Sequence, residues 1–166
     1  MISALMQARQ LLADVTPLTQ DCGALCGAAC CRSLEGETTG MLLFPGEESL
    51  LQGEEGYRFL ATEHGTLLIC AGHCRRSMRP LACMLYPLLP LLREGCVKVG
   101  MNAAAHGHCP LARMGVKGLD PEFRRRMRQA GELLCSEPSL RAHLQQLTEE
   151  HDEIKSLREM WGLHSS

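Results

Sequence analysis

The chain has 166 residues, a formal net charge of −2 and a pI near 6.4. A chain of this length can bury a core of its own without disulfides, and its charge gives no global basic field, so nucleic-acid binding is not expected. No segment approaches the roughly 18 consecutive apolar residues of a membrane span, and the N-terminus has neither the basic start nor the apolar run of an export signal. We therefore expect a cytoplasmic protein with no membrane partner.

A short helix is predicted at the N-terminus, within residues 1–16. Its apolar residues recur at helical spacing, at Ile2, Leu5, Met6, Ala8 and Leu12. Residues 14–17 break this pattern before the first cysteine, so the helix is expected to lead directly into the cysteine-rich region.

Residues 17–113 are predicted to form a small, irregular core with short β-hairpins. A helix is expected to begin near residues 44–48, where Glu47 and Glu48 would favour the positive end of the helix dipole. Two apolar runs at 57–61 and 66–69 are separated by T-E-H-G, which is typical of a hairpin. A second hairpin is predicted over residues 88–101, with R-E-G as its turn.

Two helices are predicted in a C-terminal extension, residues 119–163. Asp120 is the expected N-cap of the first and Pro121 lies in its first turn, while Pro138 begins the second. The first helix has one apolar face, formed by Phe123, Met127, Ala130 and Leu134. The apolar positions of the last helix are Leu140, Leu144, Leu147, Ile154, Leu157 and Trp161. This amphipathic helix would either pack on the core or mediate a homodimer.

Together these elements predict a single α+β domain over residues 1–166. A cysteine-rich core with short hairpins, organised by a metal, would be flanked by one N-terminal and two C-terminal helices. In a reducing compartment, ten cysteines are more typical of metal ligands or catalytic thiols than of a disulfide framework. Eight of them are clustered in sequence: Cys22, Cys26, Cys30, Cys31, Cys70, Cys74, Cys83 and Cys109. The other two, Cys96 and Cys135, are expected to be buried structural thiols.

The spacing of the first four cysteines limits how they can bind a metal. A continuous helix would place Cys22, Cys26 and Cys30 on one stripe, with Cys31 roughly 100° away. Gly23 and Gly27 disfavour such a helix. Adjacent thiols are poorly placed to share one tetrahedral ion, so Cys30 and Cys31 would serve different ions or opposite corners of one cluster. Eight thiols suffice for two four-thiolate sites, and both zinc and iron–sulfur clusters accept such ligands.

The order of these motifs resembles a known family. C-x3-C-x3-C-C, then C-x3-C, then R-P-L-A-C closely followed by Y-P, is similar to the YkgJ-like cysteine-cluster family of zinc- or iron-chelating domains. The resemblance covers residues 22 to about 111 and includes Arg79, Pro80, Tyr86 and Pro87 as well as the eight cysteines. In many relatives the first spacing is C-x2-C. Some larger relatives are flagellin lysine methylases, but this chain has no strand followed by a glycine-rich nucleotide loop, so that activity is not expected here.

Charged residues near the cysteines have simpler expected roles. Arg79 is expected to donate hydrogen bonds to a cysteine sulfur or a neighbouring carbonyl, and so to support a bound cofactor. Arg75 and Arg76 are expected to form a solvated basic turn. The three histidines beside cysteines, His73, His106 and His108, are expected at the surface or the core edge, with replacement of a cysteine ligand as the alternative. The R-R-R-M-R stretch, residues 124–128, is expected to be a solvated helix face.

Three classes of function remain. The favoured one is a metal-binding module in which thiolate-coordinated zinc or iron has a structural or chelating role. The second is an iron–sulfur protein with a redox or enzyme-associated role. The third, a thiol redox protein, is disfavoured because the chain lacks C-x-x-C. The sequence identifies no catalytic residue and no substrate.

Overall fold

The computed structural model describes residues 2–32 and 40–162 and has the α+β architecture predicted from the sequence. The α-helices in this part of the chain are α1 (Ile2–Leu12), α2 (Cys22–Cys26), α3 (Leu81–Leu85), α4 (Pro121–Cys135) and α5 (Pro138–Met160). The strands are β1 (Gly40–Leu42), β2 (Arg58–Thr62), β3 (Gly65–Ile69), β4 (Leu88–Arg93) and β5 (Cys96–Met101). Short 3-10 turns connect many of these elements. The single N-terminal helix and the two C-terminal helices match the prediction. The last residue of the predicted C-terminal extension, position 163, lies outside the described residues.

The N-terminal helix ends at Leu12, just before the predicted break at residues 14–17. It buries Ala4, Leu5, Ala8 and Leu12, whereas Ile2 and Met6 are exposed. The guanidinium of Arg76 donates to the carbonyls of Ala13 at 2.6 Å and Val15 at 2.9 Å. A cationic side chain therefore satisfies backbone acceptors just beyond the helix end, where the helix dipole favours positive charge.

The first sheet contains three antiparallel strands in the order β1-β3-β2. The hairpin of β2 and β3 confirms the prediction within one residue at each end, with Leu60 opposite Leu67. Strand β1 was not predicted. The expected helix at 44–48 is instead a 3-10 turn, Glu47–Leu50. One small apolar cluster, formed by Leu43, Leu51 and Leu68, holds this sheet to the turn.

The second hairpin confirms the predicted R-E-G turn. Strands β4 and β5 pair antiparallel from Leu88 opposite Met101 to Arg93 opposite Cys96. Glu94 and Gly95, which join them, have positive φ angles of 52° and 77°. A two-residue loop with both residues in the left-handed region matches the twist of the flanking strands.

The two C-terminal helices begin where the sequence predicted. Asp120 Oδ1 accepts the amide of Phe123 at 2.9 Å, and Pro121 is the first helical residue of α4. Helix α4 buries its predicted face. In α5, Leu140 and Leu144 are buried, but Ile154, Leu157 and Trp161 are 37%, 48% and 78% exposed. The first part of α5 therefore packs on the core, whereas its last third extends beyond the elements it packs on.

The main core joins the two ends of the chain. Helices α1 and α4 pack against each other, and α5 and the second hairpin cover the other side of α4. The buried side chains of this cluster include Leu5 and Leu12 of α1, Leu81 and Leu85 of α3, and Phe123 and Met127 of α4. Among the described residues, no helix has the length and apolar content needed to cross a membrane.

Candidate metal centre

The first cysteine group lies on two short helical segments rather than on one helix. Helix α2 ends at Cys26 with Gly27 as its C-cap, and a 3-10 turn, Ala29–Cys31, follows it. Gly27 and Ala28 both adopt left-handed conformations, with φ of 60° and 55°. This reversal breaks the single stripe that a continuous helix would have given, as Gly27 indicated.

Six of the eight predicted cysteines line one cavity of about 490 Å³; they are Cys22, Cys26, Cys30, Cys31, Cys83 and Cys109. Apolar side chains, including Leu12, Met84 and Leu111, form much of the rest of its wall. The structure thus gathers residues from α2, the following 3-10 turn, α3 and the loop after β5 around one space. Cys70 and Cys74 lie outside this wall.

Four thiols are linked by electrostatic interactions and are here called the first thiol group: Cys22, Cys26, Cys30 and Cys109. Burial raises the pKa of Cys22, and the nearby Asp21 and Cys26 raise it further. Burial also raises the pKa of Cys109, although the backbone amides of Leu111 and Ala112 oppose this shift. Cys22 and Cys109 therefore favour their protonated form unless a cation replaces the proton.

The other four thiols are here called the second thiol group: Cys31, Cys70, Cys74 and Cys83. Cys83 is its centre. Burial raises the pKa of Cys83, and the charges of Cys31, Cys74 and Cys70 act in the same direction. Although Cys70 and Cys74 do not line the cavity, they therefore lie close enough to Cys83 to affect its ionisation.

Cys30 and Cys31 join the two groups. A hydrogen bond between their side chains lowers the pKa of Cys30 and raises that of Cys31. The Cys31 thiol is thus the donor and the Cys30 sulfur the acceptor. The charges of Cys83, Cys22 and Cys26 all act on Cys30, so this thiol lies within reach of both groups.

Arg79 lies among the thiols of the second group. Burial alone would lower its pKa, but a hydrogen bond with Cys74 raises it above the usual value. The charges of Cys83 and Cys31 add to this increase. Arg79 is thus placed to offset negative charge on the sulfurs, the role expected from the sequence.

A buried ion pair that was not predicted holds the Arg79 segment in place. Glu47 is fully buried, and its Oε1 accepts from Arg9 Nη1 at 2.9 Å and from the Leu81 amide at 2.6 Å. The same Arg9 nitrogen donates to the carbonyl of Arg79 at 2.7 Å. The expectation that Glu47 acts only at a helix N-terminus is therefore wrong: this carboxylate connects three distant segments.

Other charged residues have partners that the sequence did not reveal. Arg75 is exposed as expected but forms a 2.6 Å salt bridge with Glu54. Arg76 is also exposed, yet it is bonded to the end of α1 as described above. Within residues 124–128, Arg126 forms salt bridges with Glu122 at 2.7 Å and with Asp14 at 2.5 Å, so this basic stretch is partly neutralised.

The histidines and aromatic residues near the cysteines lie around the cavity. His73 and His108 are exposed and His106 is half-buried. His108 lines the cavity, and its Nδ1 lies 3.2 Å from the Ala104 carbonyl. Tyr86 and Pro87 also line the cavity and are joined by a cis peptide bond.

Cys96 and Cys135 lie apart from these groups, in a cleft that also contains Arg128 and Arg141. Cys135 is half-buried and Cys96 is exposed. The prediction of a buried structural thiol is wrong for Cys96, because the first residue of β5 follows an exposed turn.

In residues 2–32 and 40–162, no three Cys, His, Asp or Glu side chains are arranged to hold a metal ion. The donor chemistry nevertheless fits a thiophilic metal, since six thiols face one largely apolar cavity and an arginine lies beside them. The thiols line the cavity wall, and their sulfur atoms would have to move closer together to coordinate one ion. Comparisons with family models, curated proteins and solved structures give no match.

Proposed function

We propose that this protein is a metal-binding cysteine-cluster protein, in which a thiolate-coordinated zinc or iron centre has a structural or chelating role. The observation that carries the proposal is the gathering of six clustered cysteines around one cavity. Core packing alone does not account for these thiols: Cys22 and Cys109 pack against the main core, but α2 has no buried residue and Cys30 is exposed. The order of the motifs supports placing the chain with the YkgJ-like family.

The two thiol groups supply the ligands in this proposal. The first group would hold one ion and the second group another, with Cys30 and Cys31 divided between them. A bound divalent ion would supply positive charge that keeps four sulfurs deprotonated and close together. Two four-thiolate zinc sites would each carry a net charge of −2, which Arg79 is placed to reduce in the second group.

The contact between Cys30 and Cys31 favours a second candidate, an iron–sulfur cluster. Because the two groups meet at this pair, one cluster could take ligands from both of them. Such a centre would give the protein a redox or enzyme-associated role, with Arg79 contributing to its reduction potential.

Elemental analysis of protein purified without oxygen tests the proposal, together with an absorbance spectrum and an assay of acid-labile sulfide on the same sample. Near-stoichiometric zinc without visible colour would support the structural or chelating centre. Iron with matching sulfide and a broad visible band would support the cluster. Ten titratable thiols with neither metal would contradict both candidates.

Single variants separate two independent sites from one shared centre. Cys22→Ser removes a sulfur from the first group and Cys83→Ser removes one from the second. With independent ions, each variant loses about half of the bound metal, whereas a shared cluster is lost from both. Cys135→Ser is the matched control, because this cysteine lies in the separate cleft, and it should retain the metal content of the parent protein.

Two further proposals concern location and assembly. We propose a cytoplasmic location, where thiols stay reduced and available to metal. We also propose a homodimer through the end of α5, because Ile154, Leu157 and Trp161 are exposed at intervals of three and four residues. Leu157→Lys should then convert the dimer to a monomer in sedimentation analysis, whereas Ser156→Lys, at an adjacent exposed position, should not.

A further inference from the structure

Met41 also lines the thiol cavity. The Cys83 thiol donates to its thioether sulfur, and Cys83 Sγ lies 3.3 Å from Met41 Sδ. Met84, on the same helix as Cys83, lines the cavity as well. Two methionines therefore line the space around which the six cysteines are gathered, and the sulfur of one of them contacts Cys83.

The separation of these two sulfurs can be compared with the geometry of a coordinated ion. Sulfur ligands at ~2.3 Å on a tetrahedral ion lie about 3.8 Å from each other. The Cys83–Met41 distance of 3.3 Å is shorter than that edge by about half an ångström. A small outward movement of either side chain would allow both sulfurs to bind one ion.

Both sulfurs are carried by segments with fixed positions. Met41 pairs with Leu68 in the first sheet and packs against the small apolar cluster described above. Cys83 lies on α3, and the amide of Leu81 in its first turn is bonded to the buried Glu47. The contact thus joins two anchored elements.

We propose that Met41 is an additional ligand in the second thiol group and that it raises the affinity of this group for a soft monovalent cation, copper(I), without raising its affinity for zinc. This inference rests on the proposed thiolate centre and adds a metal class to it. Thioether and thiolate sulfurs are soft ligands that suit copper(I), whereas the ligands typical of zinc sites are thiolate, imidazole and carboxylate. A neutral thioether also adds a ligand without adding negative charge, which suits an ion of charge +1.

The test compares the full-length, reduced protein with its Met41→Leu variant under anaerobic conditions. Leucine keeps the apolar volume of the β1 side chain but has no sulfur. Copper(I) affinity is measured by competition with a chromogenic copper(I) chelator, and zinc affinity by competition with a zinc chelator. The expected result is a loss of copper(I) affinity of about 10- to 100-fold, the range for losing a group that supports a metal site, with zinc affinity changed by less than about twofold.

Met114→Leu is the matched control, because Met114 is 49% exposed and does not line the cavity. It should leave both affinities unchanged. X-ray absorption of the copper(I)-loaded parent protein should show a sulfur ligand that is absent in Met41→Leu. Thermal unfolding of both metal-free variants shows whether the fold is retained.

Unchanged copper(I) affinity in Met41→Leu would overturn the inference, and so would an equal loss for copper(I) and zinc, since Met41 would then only support packing. Neither of these results affects the proposed thiolate centre. If the proposed thiolate centre does not exist, the result is different: the parent protein then binds none of copper(I), zinc or iron.

Discussion

Arg9 and Glu47 form an ion pair of 2.9 Å in which the carboxylate is fully buried and the arginine side chain is only 12% exposed. The pair ties α1 to the turn after β1 and, through the Leu81 amide, to the start of α3. It therefore acts as a structural support for Cys83, which follows two residues later.

We expect Glu47→Gln to destabilise the protein by about 3–5 kcal/mol, because it leaves the Arg9 charge without its buried partner. The new amide would also place a donor where the carboxylate accepts from the amides of Phe44 and Leu81. The measurement is urea denaturation. Glu48→Gln, at the adjacent half-buried position, is the control, with an expected change below about 0.5 kcal/mol. Equal stability of both variants would rule out a structural role for the pair.

A second prediction concerns pH. Burial lowers the pKa of His143 and His151 on α5, and His151 Nδ1 accepts the Ala103 amide at 3.2 Å, which requires a neutral ring. Their folded-state pKa values lie below the usual value of about 6.5, so only the unfolded chain takes up protons just below that pH. Stability should be complete above about pH 6.5 and decrease as the pH falls below it.

This decrease should be measured as urea midpoints between pH 7.5 and 5. For each histidine its slope is at most about 1.4 kcal/mol per pH unit. His143→Leu should reduce the slope, since His143 packs edge-on against Phe44 and its Nε2 has no hydrogen-bond partner within the described residues. His64→Gln, on an exposed turn, should leave the slope as in the parent; a slope unaffected by His143→Leu would exclude this histidine as its source.

Gly131 gives a third prediction. An added Cβ would lie 2.7 Å from Val97 Cγ1 and 2.8 Å from Pro90 Cβ, neither of which belongs to a flexible side chain. Alanine normally stabilises a helix interior relative to glycine, but here we expect Gly131→Ala to destabilise the protein by about 1–3 kcal/mol, the cost of overpacking. Gly107→Ala, where the added atom meets nothing within 4 Å, should have little effect. Thermal unfolding measures both, and an increase in stability for Gly131→Ala would contradict the observed packing.

The last prediction concerns removal of the proposed metal. Helix α2 buries no residue, and the segment between β3 and α3 contains mostly exposed or half-buried side chains. A strong chelator should therefore increase hydrogen exchange in residues 22–32 and 70–83. Exchange in α4 should change much less, because its buried face packs on apolar side chains of α1 and α5. If hydrogen exchange in residues 22–32 and 70–83 is the same before and after chelation, no metal organises these segments.

A structural feature could be predicted from the sequence when the residues that determine it lie close together in the chain. The R-E-G turn and the Asp120 cap are specified within a few residues, and both were predicted. Strand β1 has three residues and pairs with β3, more than twenty positions away, so no periodicity in its own sequence could show it. The burial of Glu47 likewise depends on Arg9, 38 positions earlier in the chain.

The candidate site shows the same difference between features set by nearby residues and features set by distant ones. Six of the eight cysteines that the spacing singled out line the cavity, whereas Cys70 and Cys74 do not. The two glycines indicated a break in the first group. The assignment of Cys30 and Cys31 to different groups was open, because it depends on where α3 and the loop after β5 place Cys83 and Cys109. The Cys83–Met41 contact joins positions 42 residues apart, and no local pattern at Met41 distinguishes it from an ordinary core methionine.

The packing of α1 on α4 also has a consequence for synthesis of the protein. Arg126 of α4 bonds to the carbonyl of Leu11, 115 positions earlier, and the buried face of α1 is completed by α4 side chains. At about 5–20 residues per second, a ribosome makes α4 several seconds after α1. All eight clustered cysteines precede α4 in the chain. They therefore leave the ribosome before the helix that closes the core, and a nascent chain exposes its thiols while its first helix still lacks its partner.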